Sequence, residues 1–257
     1  MSSVPLNLNP LELGGGRVSQ TDHIRLTIPP IATGYADAQV DDHRQLKRAD
    51  LPWRPPLVMQ LQARANPIQP LGTLGFGFWN DPFALSLGQA GAARKLPAAP
   101  NALWFFYGSE PNSLAMAPGA PATGWKASSL RTTRLPSLLL AAPALAAFGL
   151  SYVRLLRRLV VRAAKSLVAA SEMGLAAPLD QWHDYRLEWT QAAARFWVDS
   201  QLVLEASQPP TGPLGFVAWI DNQYAQVSAE HGIRFGVLAT SQTQILEVRQ
   251  LTIEPTQ

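Results

Sequence analysis

The chain contains no cysteine, which excludes disulfide staples, thiolate metal sites and cysteine nucleophiles. Charge is scarce as well: 15% of the 257 residues are Asp, Glu, Lys or Arg, against 47% hydrophobic. A disordered or linker-like chain has the opposite balance and is excluded. Residues 111–171 hold no Asp or Glu but eight basic residues, whereas the rest of the chain has thirteen basic against eighteen acidic. The net charge of +3 therefore belongs to one segment, which argues against a nucleic-acid partner for the chain as a whole. The first twelve residues lack a basic region followed by an apolar stretch, so no secretory signal is expected and a cytoplasmic location follows by default. No long acidic loop of the EF-hand kind, no paired-histidine zinc motif and no phosphate-binding glycine loop are present.

What is present reads mostly as short strands. Alternation of apolar and polar residues marks 24–28, 57–64, 73–79, 102–107, 185–190, 195–199, 202–205, 215–221, 233–238 and 245–253. Clusters such as Asn66-Pro67, Asn80-Asp81-Pro82 and Pro209-Pro210-Thr211-Gly212-Pro213 separate them. Asp199-Ser200 falls between two apolar runs as a tight hairpin turn. Many short strands without alternating helices predict an all-β fold, an antiparallel jelly-roll sandwich, in one domain over 1–257.

The exception is 135–172, expected to be an α-helical insertion. Val153, Leu156, Leu159, Val160, Ala163 and Leu167 recur at helical spacing, while Arg154, Arg158, Arg162 and Lys165 fall on another stripe. With Arg157, these cations form either a solvated outer face of a helix covering the sandwich or a basic surface for an anionic membrane. The uncharged stretch 135–153 approaches membrane-spanning length, but Pro136, Pro143 and Gly149 interrupt it, and it reads as a packed or interfacial helix.

The clearest signature is Trp182-His183-Asp184-Tyr185-Arg186-Leu187-Glu188-Trp189-Thr190, followed by Arg195-Phe196-Trp197-Val198-Asp199. It resembles the W-H-x-Y-x-I-x-W-T … F-Y-V-D-G strand pair of the concanavalin A-like lectin/glucanase superfamily, and most closely glycoside hydrolase family 16. The resemblance implies two adjacent antiparallel strands, with Tyr185, Leu187 and Trp189 plugging one face of a jelly roll; Trp197 is assigned to the core with Trp189. In that family a Glu-x-Asp-x-Glu run on a central strand supplies nucleophile and acid/base, about 5–5.5 Å apart. The corresponding strand here, 73–79 or 102–107, contains no carboxylate. The resemblance thus implies the fold without the family's hydrolysis.

Binding is then the leading expectation, with a carbohydrate or the sugar part of a glycolipid as ligand. Trp79, Trp104, Phe106 and Trp219 are the candidate stacking residues, and Asn80, Asp81, Asp221 and Asn222 the candidate partners for hydroxyls. Gly75 and Gly77 share one face of their strand, leaving room for a ligand or for an aromatic from a facing element. If the chain is instead an enzyme with relocated acids, Asp81, Asp221 and Glu110 are the candidates. No cofactor is expected; Asp37 and Asp41-Asp42-His43 are the oxygen donors closest to a structural calcium site.

Overall fold

The computed structural model describes residues 6–82, 98–132, 157–228, 230 and 232–256. Two seven-stranded antiparallel sheets pack face to face. The first runs in the order β1 (Asn9–Leu13), β4 (Asp37–Asp41), β13 (Gly215–Asp221), β6 (Thr73–Trp79), β7 (Ala102–Gly108), β8 (Gly124–Thr132) and β9 (Val168–Gly174). The second runs β12 (Gln201–Ser207), β11 (Ala193–Val198), β10 (His183–Trp189), β5 (Leu57–Asn66), β16 (Gln244–Pro255), β3 (Ile24–Ile28) and β2 (Arg17–Gln20). A separate hairpin, β14 (Gln223–Ser228) and β15 (Gly232–Val237), follows β13. This is the expected β-sandwich.

Alternation explains the core. Leu74, Phe76 and Phe78 of β6, Leu103 and Phe105 of β7, and Phe216, Ala218 and Ile220 of β13 point inward from the first sheet. Tyr185, Leu187 and Trp189 of β10 meet them from the second, with Tyr185 5.0 Å from Phe76 and Trp189 5.8 Å from Phe78 between ring centroids. Edge-to-face and tilted pairs of this kind add to the burial of large apolar surface. The Trp189 indole N–H is satisfied by the Pro210 carbonyl at 2.8 Å. Asp199 and Ser200 both take positive φ, 48° and 66°, as the tight turn requires.

The structure corrects two expectations. Trp197 is not in the core: Phe196 and Val198 of β11 are inward, so Trp197 must face out, where the Arg186 guanidinium lies 4.8 Å over its ring. Of the helix expected over 135–172, residues Arg157–Ser166 form helix α1, but 168–172 belong to β9, which pairs with β8. Ala-rich composition made that strand look like a continuation of the helix; its pairing with β8 overrides local propensity. Residues 135–156, including Arg154 and the candidate span, lie outside the described residues. No helix among the described residues is long and apolar enough to cross a membrane.

Candidate binding site

The outer face of the first sheet is the unusual surface. Strands with a wet outer face show alternating burial, yet β13 is buried at every position and β6 and β7 nearly so. The cause is a second hydrophobic cluster on that face: Phe106, Val217 and Trp219, with Trp79, Trp104 and Leu114 packed against them. Register sets the arrangement. Gln39, Trp219, Gly75, Phe106 and Lys126 form one row across five strands, and Asp41, Val217, Gly77, Trp104 and Ser128 the next.

Gly75 and Gly77 lie beneath the aromatics and make them possible. A Cβ on Gly75 would stand 2.7 Å from the Trp219 ring and collide with the Phe105 carbonyl. Gly77 has φ +145°, and a Cβ there would meet Trp104 Cβ at 2.9 Å. The space above Gly75 is therefore filled by the Trp219 indole and that above Gly77 by the β7 backbone at Leu103 and Trp104, so neither is open to a ligand directly. Trp79 and Trp219 stack at 7° and 6.4 Å, and Trp104 tilts against both, at 6.1 and 5.5 Å. Trp79 and Trp104 remain half-buried, presenting ring surface outward.

Hydrogen bonds fix the indoles. Trp79 Nε1 donates to His43 Nε2 at 2.9 Å, while His43 Nδ1 donates to the Phe216 carbonyl at 3.0 Å. An indole N–H can only donate, so His43 is held as the neutral Nδ1–H tautomer. Trp219 Nε1 donates to Thr73 Oγ1 at 3.0 Å, and Thr73 Oγ1 donates to Asp221 Oδ1 at 2.8 Å.

One end of the floor is closed by a polar wall. The Lys126 and Glu172 side chains, each about 2% exposed, form a 2.8 Å ion pair. Glu172 also accepts from Ser128 Oγ and from the backbone N–H groups of Met116 and Ala117, and Lys126 donates to the Leu114 carbonyl. The pair thus pins the 114–117 loop beside the aromatics, and both Glu172 oxygens accept further hydrogen bonds, which a buried ion pair needs to offset its desolvation. Lys165 of α1 reaches the same loop, donating to the Ala115 carbonyl at 2.7 Å, while Arg158 and Arg162 are exposed. Only the backbone of Arg157 is described.

At one end of β6 lies an acidic pair. Asp37 of β4 and Asp221 of β13 are register partners, 3% and 7% exposed. Burial pushes the Asp221 carboxyl up to about 7, against the lowering effect of hydrogen bonds from Thr73 and Gln223. Burial and then the Asp221 charge hold Asp37 well above the ordinary carboxylate range, opposed by Arg44 and the Tyr35 hydroxyl.

The candidates from the sequence are thus dispersed. Trp79, Trp104, Phe106 and Trp219 come together as one floor. Asp221 lies at the Thr73 end of β6, whereas Asp81, at φ 48°, lies beyond Trp79 at the other. Eight residues of strand separate them, roughly 26 Å at about 3.3 Å per residue. That is far from the roughly 5–9.5 Å of a glycosidase pair. Glu110 follows β7 on the Asp221 side, with its side chain exposed. Asn80 is engaged by Asn101 N–H and the Ala99 carbonyl, and Asn222 by Ala36 N–H and the Gly34 and Leu238 carbonyls. Asp41 binds Arg44 at 2.6 Å, and Asp42 accepts from Trp53 Nε1 and Phe216 N–H. Among the described residues no group of three or more His, Asp or Glu is placed to hold a metal ion. A cavity of about 610 Å³ between the N-terminal strand and the 42–54 loop, lined in part by Asp42, Trp53, Arg54 and Leu57, includes none of the four floor aromatics in its lining.

Asp37 as partner to Asp221, Tyr35, Thr73, Lys126 and Glu172 were not singled out as site residues from sequence. The available signals were the polar alternation of Asp37, Gln39 and Asp41, and one lysine in an otherwise uncharged stretch before Arg131.

No family model matches the chain, and no curated protein does. Among solved structures, an endo-β-1,4-glucuronan lyase from the fungus Trichoderma reesei aligns over 96% of this chain and 90% of its own, with 12% identity and a TM-score of 0.49. The carbohydrate recognition domain of Emp47p aligns over 100% and 91%, with 10% identity and a TM-score of 0.47. A Bacillus licheniformis β-glucanase aligns over 97% and 92%, with 10% identity and a TM-score of 0.46. The chemistry of the aromatic floor rests on its own residues.

Proposed function

We propose that the chain is a carbohydrate-binding sandwich protein, taking a sugar, free or as the head of a glycolipid, on the outer face of the first sheet. The observation that carries this reading is the second aromatic cluster, lying outside the main core with Trp79 and Trp104 half-buried. Flat aromatic surface in a shallow site suits the apolar face of a sugar ring, and nearby polar groups fix its orientation. Against hydrolysis of the family 16 kind speak the lack of a carboxylate on β6 and β7, the separation of Asp81 and Asp221 by the length of β6, and the burial of Asp37 and Asp221, which face each other.

Calorimetry against a panel of neutral and acidic oligosaccharides tests this. At least one is expected to bind, and Trp104→Ala to weaken it by tenfold or more, about 1.4 kcal/mol. Absence of binding across the panel, or unchanged affinity in Trp104→Ala, would overturn the reading. Release of new reducing ends from a polysaccharide, lost in Asp221→Asn, would replace it with a hydrolase.

A further inference from the structure

Among the described residues, buried carboxylates are matched by cations at every place but one. Asp41 has Arg44, Glu172 has Lys126, and Glu247 has Arg25 and Arg64. Asp37 and Asp221 are 3% and 7% exposed and form no ion pair. They are register partners on β4 and β13, which puts their Cβ atoms about 4.5–5.5 Å apart on one face of the sheet. The groups facing Asp37 are Asp221, Asp41, Arg44 and Tyr35, and the Arg44 guanidinium is already bound to Asp41 at 2.6 Å. Three carboxylates thus share one guanidinium. Asp221 Oδ1 accepts from Thr73 Oγ1, Thr73 N–H and Gln223 N–H. Asp37 Oδ1, by contrast, is buried without any hydrogen-bond partner. A buried acceptor with no donor, facing a second carboxylate, is the complement of a cation.

We propose that Asp37 and Asp221 hold a calcium ion between β4 and β13. Carboxylate oxygens select hard cations, and calcium takes about six to eight oxygens in a flexible shell, where magnesium demands a rigid octahedron. Asp37 Oδ1 and Asp221 Oδ2, the oxygen that Thr73 and Gln223 leave, supply the charge. The Tyr35 hydroxyl, which faces Asp37, and water complete the shell. Of the oxygen donors that the sequence offered, Asp41 and Asp42 are engaged by Arg44, Trp53 and Phe216, which leaves Asp37.

The ion also serves the aromatic floor. With it bound, Asp221 is a carboxylate, the form in which Oδ1 accepts most strongly from Thr73. Thr73 Oγ1 in turn accepts from Trp219 Nε1 at 3.0 Å. Two hydrogen bonds therefore link the ion to the setting of the Trp219 indole. The consequence for ligand rests on the carbohydrate reading above; the ion site does not.

The test strips the full chain with EDTA, returns it to chelator-free buffer at neutral pH, and titrates it with calcium or with terbium as a luminescent stand-in. Calcium at about a hundred times its Kd is expected to raise Tm by about 5–10 °C. Terbium emission should appear on excitation of the aromatic residues and be displaced by calcium. Asp37→Asn should reverse the order of stability. Without calcium it melts above the wild type, because the repulsion is gone; with calcium it melts below, and it gives no terbium emission. Asp221→Asn, the second variant, should also lose the terbium emission. A wild-type Tm that calcium leaves unchanged, or a calcium response that survives in both Asn variants, would overturn the proposal. With laminarihexaose as the binding probe, calcium should tighten binding at least tenfold in the wild type. Thr73→Val should lose that gain while its Tm still responds to calcium. A calcium response that Asp37→Asn removes, in a chain that binds no sugar, would uphold the ion site and sink the carbohydrate reading.

Discussion

The outer faces of the two sheets solve the same geometric problem in opposite ways. On the second sheet, β5 and β10 alternate buried with partly or fully exposed residues, and the outward positions carry Gln60, Gln62, Arg64, Asp184, Arg186 and Glu188. Arginines there are partly exposed, with Arg64 and Arg249 lying over Trp182 and Arg64 paired at 2.6 Å to Glu247, the one carboxylate they cover. On the first sheet the outward positions are indoles, glycines and buried ions, and β13 has no exposed residue at all. Water covers one outer face; protein covers much of the other. A sandwich needs only its two inner faces to be apolar, so closing a third is surplus to folding and marks the face built for something else.

Substitutions on the two faces should therefore differ in cost. The largest loss is expected for Lys126→Ala, which leaves Glu172 buried with no counter-charge: about 3–5 kcal/mol by denaturant unfolding. A cost under 1 kcal/mol would show that water reaches this wall and that the contrast between the faces is weaker than drawn. Gly75→Ala comes next. Its Cβ must displace the Trp219 ring or the Phe105 backbone, for about 1–3 kcal/mol together with a shifted near-ultraviolet tryptophan signal. The smallest effect belongs to the second sheet. Arg249→Ala removes a guanidinium 4.1 Å over Trp182 and should cost under about 1 kcal/mol, with sugar binding unchanged. A large loss of binding there would move the site to the other face.

Much of the sandwich was legible because local pattern and tertiary role coincide. The signature strand 183–189 alternates cleanly, and Tyr185, Leu187 and Trp189 are buried as that alternation demands. Strands β1, β2, β4, β8, β9 and β14 are not marked by the apolar alternation; in β4 and β8, Asp37, Gln39, Lys126 and Ser128 interrupt it on the side that the aromatic floor adjoins. The four aromatics of the floor could be named as candidates but not placed, because their company is set by strand order rather than by spacing. Asp37 and Asp221 are 184 residues apart, and only the pairing of β4 with β13 brings them face to face. The choice between a ligand and an indole above Gly75 was likewise decided by a residue on another strand, Trp219.

Sheet order also bears on how the molecule is made. β16 lies not at an edge but inside the second sheet, hydrogen-bonded to β5 on one side and β3 on the other. Neither of those early strands can complete its pairing until residues 244–255 have left the ribosome. Contacts spanning around 200 residues place this chain among slow, non-local folders, in which loop closure precedes reward. Throughout synthesis, two early strands with apolar inner faces wait with open edges. The nascent chain is then more exposed to mispairing than the finished one, and expression should improve at lower temperature or with chaperones that shield strand edges.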